Sequence, residues 1–133
     1  MKLLLTALFI IGTYTVTAQQ CKLTLEISYT GLEQGYNHVT KDEIYIAGVL
    51  VKTTDERRSS ESMKLKIKIP RGSQRIEIVN WTLYKGTWEK TALENDYSID
   101  GIYAGEHIFG KKAKITVLYD LDDMSRTPNV KFD

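Results

Sequence analysis

One cysteine, two prolines and two histidines are all that this 133-residue chain holds of those three residue types, and the cysteine and histidine shortages each remove a class of protein. Cys21 alone closes no internal disulfide, so a stapled scaffold is excluded and an apolar core must supply the stability. His38 and His107 lie far apart, with no second ligand at metal-binding spacing, which leaves neither a zinc motif nor an imidazole base placed for a nucleophilic cysteine. No metal and no cofactor is expected. Beyond residue 18 there is no apolar run near the roughly 20 residues that a membrane-spanning helix requires. An excess of one charge is missing as well. Without the first 18 residues, which carry the single charged side chain Lys2, seventeen basic and seventeen acidic side chains remain. That balance exerts no bulk attraction on a phosphate backbone, so no nucleic-acid partner is expected.

What is present begins with "MKLLLTALFIIGTYTVTA", a basic start, an apolar run and small residues before a cut after Ala18, the pattern of a secretory signal peptide. The protein is therefore expected to be secreted or periplasmic, with no transmembrane segment once the signal is removed. Cys21 raises lipid anchoring as an alternative. Lipoprotein processing wants a small residue directly before the cysteine, however, and "AQQC" offers Gln20, so an unlipidated chain starting at Gln19 or Gln20 is the expectation. The remaining length suits one domain with one core. We place it at residues 19–123, with residues 124–133 as a loosely held tail because they carry Pro128 and few apolar side chains.

The mature sequence has period two. Cys21, Leu23, Leu25, Ile27 and Tyr29 alternate with Lys22, Thr24, Glu26 and Ser28, as in a half-buried strand. "EIYIAGVLVKT" is apolar at both parities and reads as a strand covered on both sides. The polar stretch 54–62 reads as a loop. Met63, Leu65, Ile67 and Ile69 alternate with Lys64, Lys66 and Lys68, and Pro70 with Gly72 supplies turn chemistry before Ile76 and Ile78, so residues 63–79 are expected to form a hairpin. Gly86 marks a second tight turn. Tyr97, Ile99 and Tyr103 share a parity, and "AKITVLYDL" forms a final alternating strand. Short strands with regular turn signals predict an all-β fold, an antiparallel β-sandwich of about seven strands.

The segment "IKIPRGSQRIEIVN" is similar to the paired strands of transthyretin-like and carboxypeptidase-regulatory-like secreted domains. That resemblance spans residues 63–83 and implies an accessory, noncatalytic sandwich of immunoglobulin-like or transthyretin-like type. It supplies no functional residue.

Candidate binding residues come from side-chain chemistry. Lys64, Lys66 and Lys68, joined by Arg71 and Arg75, form a cationic stripe able to hold an anionic surface, although exposed strand lysines also serve solubility and discourage edge pairing. Tyr84 and Trp88 flank the Gly86 turn as an exposed aromatic pair, whereas Trp81 and Leu83 are expected to point inward. Asp120, Asp122 and Asp123 resemble a calcium loop by charge but lack its glycine and terminal glutamate. Glu89, Glu94, Asp96 and Asp100 offer carboxylates without a visible cleft. Asn80 opens the glycosylation pattern "NWT" in mid-strand, and no modification is predicted there. The function expected is binding without catalysis, to an extracellular or envelope protein. A carbohydrate-binding module is the first alternative and a small secreted hydrolase the second.

Overall fold

The computed structural model describes residues 19–133; the expected signal segment lies outside them. Ten strands form two sheets. Sheet A has the order β10-β9-β1-β5, from β1 (Gln20–Thr30), β5 (Met63–Pro70), β9 (Lys112–Asp120) and β10 (Asn129–Phe132). Sheet B centres on β2 (Val39–Ile46) and β6 (Gly72–Tyr84). The outer edge of β2 takes β3 (Val49–Thr53) and β4 (Arg57–Arg58), and the far edge of β6 is shared by β7 (Thr87–Lys90) and β8 (Ile102–Phe109). The predicted all-β sandwich is present, with one parallel pair, β1 with β9, in an otherwise antiparallel arrangement.

The sheets close on one another because the apolar parity of each strand meets the apolar parity of its neighbours. In sheet A the register sets Cys21 opposite Ile69, Leu23 opposite Ile67 and Leu25 opposite Leu65. On the other flank of β1, Leu25 lies beside Ile115 and Ile27 beside Val117. These side chains pack with Ile44, Ile76, Ile78 and Phe109 of sheet B into one core. Cys21 is a fully buried member of it. Its thiol pKa is pushed up by burial, against the opposing field of Arg71, and it behaves as a small apolar side chain.

Four local expectations are corrected. Residues 44–53 are two strands rather than one doubly covered strand, because Ala47 (φ 50°) and Gly48 (φ 79°) form a two-residue turn with both central residues left-handed. Apolar residues at both parities therefore belong to different strands, and β3 leaves Val49 at 64% exposure. Residues 63–79 are not a hairpin either. The chain turns the corner of the sandwich at Arg71, whose amide donates to the Gln19 carbonyl at 3.0 Å, and Gly72 takes φ 98° as β6 enters the opposite sheet. Proline and glycine chemistry marks a change of direction, which a corner satisfies as well as a hairpin does.

Trp81 and Leu83 point away from the core. The inward parity of β6 is Ile76, Ile78, Asn80 and Thr82, all buried. Asn80 and Thr82 are tolerated because a polar centre receives them. Asp42, fully buried, accepts from Arg57 Nη2 at 2.8 Å and from Asn80 Nδ2 at 2.9 Å. Asn80 Nδ2 also donates to Thr40 Oγ1 at 2.8 Å, and Asn80 Oδ1 accepts from Thr91 Oγ1 at 2.7 Å and from the Tyr29 hydroxyl. Finally, the segment expected as a loose tail carries β10. Val130 lies opposite Val117 and Phe132 opposite Ile115, and Lys114 exchanges backbone hydrogen bonds with Asp133 at 2.9 and 3.0 Å.

Candidate binding surfaces

Outward parity in sheet A is cationic, and the register shows how far the stripe extends. Lys64, Lys66 and Lys68 of β5 lie opposite Glu26, Thr24 and Lys22 of β1. The same β1 residues lie beside Thr116, Lys114 and Lys112 of β9, and Lys131 of β10 lies opposite Thr116. Seven lysines thus share one face, at spacings of about 7 Å along a strand and about 4.8 Å between strands. Glu26 is the carboxylate within that face, 3.4 Å from both Lys64 and Lys114; Asp120 and Asp133 stand at its margins. The lysines lower the Glu26 pKa, against a rise from partial desolvation. One row, Lys68–Lys22–Lys112, holds three ammonium groups side by side with no carboxylate in the row.

Of the five binding candidates, only Lys64, Lys66 and Lys68 stand together. Trp88 lies on the outer face of sheet B, opposite Leu83, with Lys41 Nζ 4.2 Å from its ring centroid. Trp81 lies on that same face with Lys90 Nζ 5.8 Å from its ring, and its indole nitrogen is buried without a hydrogen-bond partner. Tyr84 has the inward parity at the end of β6, where it reaches the mouth of a cleft.

That cleft, about 590 Å³, opens where β1 ends. Tyr29, Tyr36, Tyr84 and Tyr97 line it, together with the carboxylates of Glu33, Glu89, Asp96 and Asp122. Tyr97 donates its hydroxyl to Glu89 Oε1 at 2.7 Å, and burial and that carboxylate hold the Tyr97 pKa well above the ordinary phenol value. His38 meets the Tyr84 ring edge-on at 5.8 Å. Gly31, at φ 75°, lets the Asp122 carboxylate approach, for a Cβ there would stand 2.8 Å from Asp122 Oδ2. Among the described residues no lysine or arginine lines the cleft.

The other sequence candidates resolve into structural parts. His107 Nε2 lies 2.6 Å from the Tyr103 hydroxyl, and its ring stacks on Phe132 at 4.4 Å. Asp120 and Asp123 each accept a local backbone N–H, from Asp122 at 3.0 Å and Ser125 at 2.9 Å, as turn residues do. Among the described residues no three His, Cys, Asp or Glu side chains gather closely enough to hold a metal ion, and no helix is long and apolar enough to cross a membrane.

Sequence reading missed Lys22, Lys112, Lys114 and Lys131 as partners of the β5 lysines. The alternation around Lys22 and Lys114 was visible, but the strand pairing that makes the seven lysines neighbours was not, and Lys131 fell in the segment read as a loose tail. The cleft was missed for a related reason, since its walls come from five separate parts of the chain.

Comparison with known proteins returns no matching family model and no matching curated protein. Among solved structures, the cytotoxin suilysin from Streptococcus suis is 16% identical with a TM-score of 0.42, and a structure titled "Trapped Toxin" is 14% identical with the same score. Each alignment covers 87% of this chain and 23% of the other, so the chain spans under a quarter of the structures it matches.

Proposed function

We propose that this protein is an exported, noncatalytic β-sandwich that binds an acidic surface of an extracellular or envelope protein through the lysine face of sheet A. The observation that carries the reading is the row Lys68–Lys22–Lys112. Lysines that merely protect a sheet belong on its edge strands, and this role accounts for Lys68 on β5. It does not account for Lys22, because β1 is paired on both flanks at that position, whereas β10 covers β9 only from Leu118 to Lys114 and leaves Lys112 at a local edge. Like charges directly opposite one another are destabilising. An acidic partner removes that repulsion and gains long-range steering from the same field.

Export rests on the signal-like segment 1–18, and the expected chain is unlipidated. In support, the Cys21 side chain is buried opposite Ile69, so an acyl chain on its sulfur would have to leave the core.

The deciding experiment is capture from a native envelope fraction by the wild-type protein and by the double variant Lys22→Gln, Lys112→Gln. The expected result is a partner retained by the wild type, released by rising salt, and lost or weakened with the variant. Equal capture and equal salt response by both proteins would refute the lysine face as the contact. Retention of a neutral polysaccharide, unaffected by the lysine changes and lost with Tyr84→Ala, would instead favour the carbohydrate-binding alternative.

A further inference from the structure

The cleft at the end of β1 carries chemistry opposite to that of the lysine face. Lys22 and Thr30 lie toward opposite ends of β1, so the row of three lysines and the cleft lie roughly 25 Å apart along one strand. Glu33, Glu89, Asp96 and Asp122 border the cleft, and among the described residues none of them forms an ion pair. A metal ion is a poor fit, because these carboxylates surround a broad space and no three of them converge. The volume instead falls within the roughly 300–1,000 Å³ of small-molecule pockets.

The tyrosines select the kind of cation. Two of the four have committed their hydroxyls, Tyr29 to Asn80 and Tyr97 to Glu89, so they offer the cleft mainly ring surface. Tyr36 and Tyr84 add exposed rings, at 59% and 44%. Aromatic rings beside carboxylates attract a positive charge electrostatically and bury the apolar stem that carries it. The chain supplies its own example at the rim, where Lys85 Nζ stands 5.3 Å from the Tyr84 ring centroid.

We propose that this cleft binds an organic cation on a slender apolar stem, a primary ammonium such as a lysine side chain. The proposal is independent of the lysine-face reading, and the two are tested by different residues. Titration calorimetry and amide NMR of the purified protein would use Nα-acetyl-lysine methylamide as the probe, with its Nε-acetylated counterpart as the uncharged control. The expected result is saturable binding of the charged probe, with shifts at residues 31–38 and 95–99, and binding of the uncharged control weaker by roughly tenfold or more.

Asp96→Asn with Asp122→Asn, both exposed positions, should weaken the charged probe by a similar factor, as should Tyr36→Ala. Lys22→Gln with Lys112→Gln should leave it unchanged. Adding n-butylammonium separates two sources of the same chemistry: equal affinity assigns the site to free amines, and tighter binding of the amide probe assigns it to a lysine within a peptide. Equal binding of the charged and uncharged probes would overturn the proposal. So would full binding by the Asp96/Asp122 variant, absence of any binding by the wild type, or a response to calcium alone.

Discussion

Replacing Arg57 with methionine removes the guanidinium that stands 2.8 Å from Asp42 and keeps most of the side-chain volume. The two side chains are 7% and 0% exposed, so solvent screens the pair little and water does not replace the lost partner. Asp42 then retains the Asn80 amide at 2.9 Å and a long contact of 3.4 Å with the Tyr119 hydroxyl, too little for a buried carboxylate. Breaking such a pair on one side costs about 3–5 kcal/mol. Urea unfolding followed by tryptophan fluorescence measures the loss.

Its pH dependence has a definite sign. Burial already raises the Asp42 pKa in the folded state, and Arg57 opposes that rise, so Arg57→Met raises it further. The folded variant then holds a proton that the unfolded chain releases above about pH 4, and its stability falls as pH rises from there to the folded pKa. The deficit relative to the wild type should therefore be smallest in acid and largest at neutral pH. A loss below about 1 kcal/mol, or one that does not change with pH, would refute the view that Arg57 neutralises a buried charge.

Ile69→Ala should cost about 2–5 kcal/mol, since its side chain is 1% exposed against Cys21, while Lys66→Ala on the outer face should change stability by less than about 0.5 kcal/mol in the same urea assay. Gly101→Ala should destabilise by about 1–3 kcal/mol, because an added Cβ would meet the Thr91 carbonyl oxygen at 2.7 Å and Asn80 Cβ at 3.0 Å; thermal unfolding reads this directly. Tyr29, Tyr97 and Tyr119 should titrate last in an ultraviolet tyrosinate titration, since burial raises all three and neighbouring carboxylates raise them further. The unfolded chain loses these phenolic protons first, so stability should decline as pH climbs past about 10.

Strand content and the inward faces of β1, β5 and β9 were legible in the sequence, because side-chain direction in a strand follows from residue parity alone. Cys21 through Ile27 and Ala113 through Tyr119 needed no partner to be read correctly. The Gly86 turn was legible for the same local reason: Lys85 and Gly86 both take positive φ, at 49° and 80°. Parity failed on β6, where the buried residues include Asn80 and Thr82. Acceptance of Asn80 in the core depends on Thr40 and Asp42, about forty residues earlier in the chain, and that of Thr82 on the Thr91 hydroxyl at 2.6 Å, and no side-chain parity carries that information.

Strand pairing is non-local in the same sense. An alternating strand satisfies its apolar face against any alternating neighbour, so the sequence alone left open whether Met63–Pro70 pairs with the strand that follows it or with β1. Tertiary structure decided for β1, and in doing so set Lys68, Lys22 and Lys112 in one row. The cleft was likewise decided by tertiary structure, because its tyrosines and carboxylates come from chain segments that meet only when the two sheets close.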